Sequence, residues 1–277
     1  MDAVQHDERR QREAAFHDRW ASELDPSEML VDAPFTSVTA LENQYILRQF
    51  GDLRGKRVLD YGCGAGEAGV YLAKLGARVV GVDVSAKMLE VAQTLARHHG
   101  VQIETRLVTG EGIPAVEGEF DRVYGNGVLH HVDLTTTRRE LARVLNASGV
   151  ACFIEPLAYN PVIEVYRRIA QAVRTADEAP LTFADIDRFG ECFEQVEHRE
   201  FWLTTLSVFL KFFLIDRVHP KQERYWKKIY KDAPQLERWF LPLKDVDEAL
   251  LQRWPRLGRW CRTSVVTLRG PRTGLQP

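Results

Sequence analysis

The chain has 277 residues, with 37 Lys and Arg against 39 Asp and Glu for a formal charge of −2, and it is 45% hydrophobic and 27% charged. That balance excludes disordered, collagen-like and coiled-coil chains and predicts a globular protein with a sizeable core. It also argues against a nucleic-acid partner, for which a basic footprint is expected. Four cysteines (Cys63, Cys152, Cys192, Cys261) lie far apart, without metal or redox spacing. They point to a reducing, cytoplasmic setting and to no metal.

The N-terminus is charged and lacks an apolar signal region. With Phe16, His17 and Trp20 it reads as one or two helices in a lead over residues 1–54. From Lys56 short apolar runs alternate with amphipathic stretches, the grammar of a parallel sheet with helices on both faces. KRVLDY is strand one, ARVVGVD (Ala77 to Asp83) strand two, and AGVYLAKLG a helix between them that Gly76 stops. Ser85 caps a helix through His98, and VQIETRLV is strand three. FDRVY (Phe120 to Tyr124) is strand four, a helix spans roughly Thr135 to Leu145, and VACFIE (Val150 to Glu155) is strand five.

Asn160-Pro161 then opens a helix to about Val173, with Pro at the first helical position. Phe193 to Phe201 reads as strand six and Ser264 to Arg269 as a last strand. Some sixty residues between them are too long for a plain loop and predict a helical cap over the mouth of the sheet. The apolar stretch Phe201 to Ile215 is shorter than the roughly 20 residues of a spanning helix, and Lys211 interrupts it. A buried or cap-forming helix is favoured over an interfacial one. The fold expected is α/β and Rossmann-like, a seven-stranded mostly parallel sheet. Its parts are the lead (1–54), the core (55–201), the cap (202–262) and a final strand and tail (263–277).

The informative stretch is Asp60-Tyr61-Gly62-Cys63-Gly64-Ala65-Gly66-Glu67-Ala68-Gly69, directly after strand one. Glycines there let backbone approach a ligand at the sheet edge where open α/β folds bind small molecules. Gly64, Gly66 and Gly69 fit the G-x-G-x-x-G dinucleotide register, which would make the chain an NAD(P)-dependent oxidoreductase. Gly62, Gly64 and Gly66 fit G-x-G-x-G. Asp60 would repel a pyrophosphate and attract an ammonium group, which favours the second register. Asp83, at the end of strand two, is placed for ribose hydroxyls in either.

With FDRVYGNGVLHHVDL at strand four, the sequence resembles the class I S-adenosylmethionine-dependent methyltransferases. VLDYGCGAGEAGVYLAKLGARVVGVDVSAKMLEVAQ, GEGIP and RVLNASGVACFIEPLAYNP carry the rest of the likeness, over about Gly55 to Pro161. The resemblance implies S-adenosyl-L-methionine as cofactor and S-adenosyl-L-homocysteine as product. It implies that Asp60, Gly62, Gly64 and Gly66 form the loop against the methionine moiety and that Asp83 takes the ribose. Val84 and Met88 would flank the adenine, Gly110 and Glu111 would lie near its amine, and Asn126 would meet the methionine ammonium.

Methyl transfer from a sulfonium is an in-line displacement, so alignment and exclusion of water carry most of the rate. A phenol or alcohol acceptor must lose a proton, for which His131, then His130, then Glu155 are the candidate bases. His17, Trp20, Arg174 and Trp202 are candidates for acceptor contact, and the cap aromatics suit a hydrophobic or aromatic molecule. From Phe201 to Lys231 seven basic residues stand against Asp216 and Glu223, an excess of five that suits an anionic acceptor or a membrane surface. The tetrad of amino-methylating nucleic-acid enzymes is absent after strand four. A small-molecule methyltransferase of the kind found in bacterial secondary metabolism is therefore expected, acting on O or N. A silent binding module serving a partner through the Trp-rich cap is the other alternative.

Overall fold

A computed structural model of the chain describes residues 3–109, 112–169, 179–219, 223 and 225–272. The short apolar runs become β1 (Arg57–Tyr61), β2 (Arg78–Asp83), β3 (Glu104–Leu107), β4 (Phe120–Asn126), β5 (Leu145–Pro156), β6 (Phe193–Phe201) and β7 (Thr263–Pro271). They form one sheet in the order β3-β2-β1-β4-β5-β7-β6. The first five strands are mutually parallel, and β7 runs antiparallel between β5 and β6. The chain moves outward from β1 through β2 to β3, then returns to lay β4 on the other side of β1. That reversal opens a crevice at the C-terminal ends of β1 and β4, where open α/β sheets bind ligands.

Successive strand residues feed opposite faces, as a two-residue period demands. Val58, Val79, Cys152 and Val265 enter one apolar core, while their neighbours Leu59, Val80, Phe153 and Val266 enter the other. Both faces are covered by helices, which explains why the strands read as continuous apolar runs. Among the described residues the lead holds α1 (Ala3–Ala21), α2 (Ala33–Thr36) and α3 (Leu41–Phe50), where one or two helices were expected. Between strands lie α4 (Glu67–Lys74), α5 (Ala86–His98), α6 (Leu134–Val144), α7 (Pro161–Ile169) and α8 (Phe183–Phe189). The region between β6 and β7 is helical, with α9 (Ser207–Leu210) running into a π-helical turn (Lys211–Ile215), then α10 (Tyr225–Lys231) and α11 (Ala233–Arg253).

Local signals explain the boundaries. Ser85 accepts a hydrogen bond from Met88 N–H and caps α5, and Asp133 caps α6 through Thr136 N–H. β5 begins at Leu145, five residues before the apolar run, because Leu145 pairs with Phe120 across a register irregularity in β4. The end of the α7 helix expected near Val173 lies outside the described residues. No helix among those described is long and apolar enough to cross a membrane.

Candidate active site

A cavity of about 1400 Å³ runs along the C-terminal edge of the parallel strands. Pockets for one small molecule are roughly 300–1,000 Å³, so this one has room for two. Its walls come from the ends of β1, β2, β4 and β5, the start of β7, and helices α1 and α10. From β2 to β7 the wall crosses four strand spacings, about 19 Å.

At the β2 end, Asp83 is held from two sides. Its Oδ2 accepts from Gly64 N–H at 2.8 Å and its Oδ1 from Ser85 N–H at 2.9 Å. A carboxylate has about four acceptor positions, so a diol could still dock here. Burial raises the Asp83 carboxyl above its ordinary value. Val84, Met88, Val108 and Ile113 line the cavity beside it. Gly110 and Glu111 lie outside the described residues.

The glycine loop turns with φ of +70° at Gly62, +50° at Gly64 and +84° at Gly66. A side chain at Gly62 would stand 2.6 Å from Val128 and one at Gly66 2.6 Å from Ala92, so both are packed shut against the protein. Nothing lies within 4 Å of a Cβ position on Gly64, which lines the cavity, so its backbone is what a ligand would meet. The Cys63 sulfur packs under Gly81, where it would clash with any Cβ at 2.9 Å. Asp60, only 2% exposed, lines the same cavity with its Oδ2 unpartnered. Burial pushes its carboxyl up to about 7, with the Gly69 N–H opposing the shift and the charges of Glu67 and Asp83 adding to it. An unpaired buried carboxylate is costly until a cation reaches it. The cradle over Gly64, the orphaned Asp60 oxygen and the oriented Asp83 therefore fit a ligand with an ammonium group at one end and a ribose further along. Asn126 also lines the cavity.

The two histidines sit side by side, with ring centroids 4.2 Å apart, and both line the cavity. His131 Nδ1 is 3.2 Å from Glu13 Oε1 on α1, a partner that only the tertiary fold supplies. His130 Nδ1 is 2.7 Å from Glu155 Oε2. Glu155 departs from the expectation of a base. It is fully buried, does not line the cavity, and its Oε1 accepts from Val128 N–H and Leu129 N–H. It holds the loop after β4 and orients His130.

Beside Asp83, α1 supplies His17 and Trp20 to the cavity wall, and Ser85 Oγ donates to Asp18 at 2.5 Å, which ties the helix to the β2 end. Lys227 and Lys231 of the basic run line the same wall. Trp202 does not. It is fully buried in the core with its indole N–H donating to Glu42 Oε1 at 2.8 Å, so the expected acceptor contact is corrected to a structural one. Arg174 lies outside the described residues. Glu42, Glu13 and Tyr230 line the cavity and were missed from the sequence. Glu13 alone had a local signal, standing four residues before His17, with its carboxylate 3.7 Å from that ring.

Residues 58–149 match a family model described as a methyltransferase domain. The chain is 33% identical over 130 residues to the ubiquinone biosynthesis O-methyltransferase of Bordetella avium, covering 46% of this chain and 54% of that one. It is 32% identical over 150 residues to the enzyme of the same name from Xanthomonas oryzae pv. oryzae, covering 53% and 60%. The chain thus spans about half the length of the curated relatives it matches. A solved phosphoethanolamine N-methyltransferase 1 from Haemonchus contortus shares the fold, with a TM-score of 0.56 at 16% identity, covering 100% of this chain and 51% of that one. Sheet order, glycine loop and family match together define a methyltransferase domain. In sheet order and glycine loop that domain resembles the class I S-adenosylmethionine-dependent methyltransferases.

Proposed function

We propose that the chain transfers a methyl group from S-adenosylmethionine to an oxygen or nitrogen of a small organic acceptor. The observation that carries this reading is the pairing of an oriented carboxylate, Asp83, with an unpartnered buried one, Asp60, on either side of the Gly64 cradle. When bound, the cofactor supplies an electrophilic methyl group on a sulfonium sulfur. The ribose falls to Asp83, the ammonium to Asp60 with Asn126 nearby, and the adenine to the wall of Val84 and Met88. That leaves the β4 to β7 part of the cavity for the acceptor. The dinucleotide register is disfavoured because a Cβ on Gly69 would stand 3.0 Å from Asp60 Oδ2. The carboxylate thus sits beside the first turn of α4, where a pyrophosphate would dock. Calorimetric titration is the test: S-adenosylmethionine and S-adenosylhomocysteine should bind at a single site with micromolar affinity. No heat at high micromolar concentration, or enhancement of NADH fluorescence in their place, would overturn the reading.

An oxygen acceptor is favoured, since the matched relatives are named O-methyltransferases; the role in secondary metabolism expected from the sequence stays a proposal. An acceptor hydroxyl must lose its proton, and His131 is the base we assign. With Nδ1 held by Glu13, the ring is fixed in orientation. His131→Ala should lower kcat by about 100-fold with little change in cofactor affinity. Glu13→Gln, which keeps a partner for Nδ1, should lower kcat less than His131→Ala does. An unchanged kcat in His131→Ala would return that residue to packing.

Glu42 closes the far end of the cavity. Its Oε1 accepts from Trp202 and, at 2.8 Å, from Thr263 Oγ1, while its Oε2 accepts from nothing among the described residues. An acceptor with a second hydroxyl or an amino group would satisfy that oxygen. Glu42→Gln can keep both Oε1 bonds and turns the other atom into a donor. It should weaken binding of a catechol probe about tenfold or more, with little change in melting temperature, because a hydrogen bond to a charged group is worth about 1.5–3 kcal/mol. Equal catechol affinity in the two proteins would remove Glu42 from the acceptor site.

A further inference from the structure

Apart from Ser207 and Lys211, the helical segment from Ser207 to Ile215 is apolar, a composition that belongs inside a protein. Only half of it is inside. Val208, Phe209 and Phe212 are buried, and Phe209 and Phe212 pack edge-on against Tyr225 with ring centroids 5.4 and 5.3 Å apart. Leu210, Phe213, Leu214 and Ile215 point outward with 49%, 43%, 66% and 66% of their surface exposed. The tip is thus rigidly founded and yet presents large apolar side chains to water, an arrangement that marks an interaction site.

The shape of the tip selects its partner. Consecutive residues of a helical turn point in different directions around its axis. Phe213, Leu214 and Ile215 therefore project in three directions, and a flat protein surface could cover only one or two of them. A fluid apolar medium surrounds all three. The chain then turns back through Arg217, an exposed residue with φ of +55°, a left-handed conformation tolerated only where the turn is needed. Lys211, paired with Asp216 at 2.8 Å, flanks the tip on its other side. The sequence from 201 to 231 carries an excess of five positive charges. Lys227 and Lys231 face the cavity and Lys228 pairs with Glu223 and Asp232, while the exposed Arg217 beside the tip complements an anionic headgroup layer. We propose that this tip inserts into an anionic lipid surface as an interfacial anchor.

The anchor is coupled to the cavity through α10. One face of that helix, Tyr225 and Ile229, grips the segment, while Trp226, Lys227 and Tyr230 line the cavity wall. Docking on lipid sets that wall beside the bilayer, a route for an apolar acceptor that partitions into membranes. The inference stands whether or not the chain methylates anything.

The test is co-sedimentation of the full chain with vesicles of phosphatidylglycerol and phosphatidylcholine in equal parts, and of phosphatidylcholine alone. The wild type should sediment with the anionic vesicles and weaken as salt is raised. Leu214→Ser with Ile215→Ser should reduce binding at least tenfold. Arg217→Gly, which suits the left-handed turn, should reduce it about fivefold through loss of one charge. S-adenosylhomocysteine titration should be unchanged in both variants, which separates loss of anchoring from loss of fold or of cofactor binding. Wild type that stays in the supernatant, or a double serine variant that sediments as well as wild type, would overturn the proposal. So would light scattering in which wild type self-associates without lipid and the serine variant does not, since a second copy would then be the occupant.

Discussion

Asp60→Asn is expected to weaken S-adenosylhomocysteine binding by about 100-fold or more while raising the melting temperature of the ligand-free protein at pH 8. The two effects have one cause. A buried carboxylate that loses its cationic partner, or a cation that loses the carboxylate, costs about 3–5 kcal/mol, and each 1.4 kcal/mol is a factor of ten in affinity. In the ligand-free protein Asp60 has no such partner, and its carboxyl titrates near 7 where an unfolded chain would titrate at 3.8. Between those values the unfolded chain is ionised and the folded one still holds its proton, so stability falls as pH rises from about 4 to 7. Above 7 the whole penalty is present, on the order of 4 kcal/mol. Asparagine cannot ionise and removes that penalty, so the gain in melting temperature should be seen at pH 8 and vanish at pH 4. Cofactor affinity of the wild type should rise with pH through 7, as the carboxylate that receives the ammonium forms, and the variant should lack that rise. Equal melting temperatures for the two proteins at pH 8, or a pH-independent affinity in the wild type, would remove Asp60 from the ammonium site.

The same residue shows what was legible in the chain. Asp60, Asp83 and the three glycines stand out because strand, turn and helix signals bracket them within a few residues, and the turn chemistry is local. The α5 cap at Ser85 was readable for the same reason. What was hidden depends on pairing across the sequence. Glu42 reads as an ordinary charge on a helix, and its role comes from Trp202 and Thr263, 160 and 221 residues away. Trp202 illustrates the converse. An aromatic at the end of a strand fits a pocket or a core equally well by composition, and the decision rests on the buried Glu42 that takes its N–H. Glu13 reaches His131 across 118 residues because α1 folds back over the mouth of the sheet. The extra length of β5 was likewise fixed by its partner Phe120, since Asn146 to Gly149 carries loop chemistry. The tip at 213–215 was visible as an apolar run, but whether its outer half is covered is a property of the packed molecule.

Glu155→Ala should cost about 3–5 kcal/mol of stability and lower the melting temperature by roughly 10 °C. Three donors depend on that carboxylate: Val128 N–H, Leu129 N–H and the His130 ring, at 2.9, 2.7 and 2.7 Å. Alanine removes the acceptor that the three share, and each donor stranded in the buried part of the loop costs about 1–3 kcal/mol. The loop they belong to is the one whose Val128 closes over Gly62, so the cofactor cradle should loosen as well. Glu155→Gln separates holding from chemistry. Its amide oxygen can still take the two backbone N–H groups, so most of the stability should return. Its NH2, however, now donates to His130 Nδ1 and forces the ring into the other tautomer. If His130 helps to align the acceptor, kcat falls in the glutamine variant while melting temperature and cofactor affinity recover. A glutamine variant as unstable as alanine would mean that the negative charge itself, rather than its hydrogen bonds, holds the loop. An alanine variant that melts with the wild type yet has lost turnover would restore Glu155 to the role of base, against its burial outside the cavity.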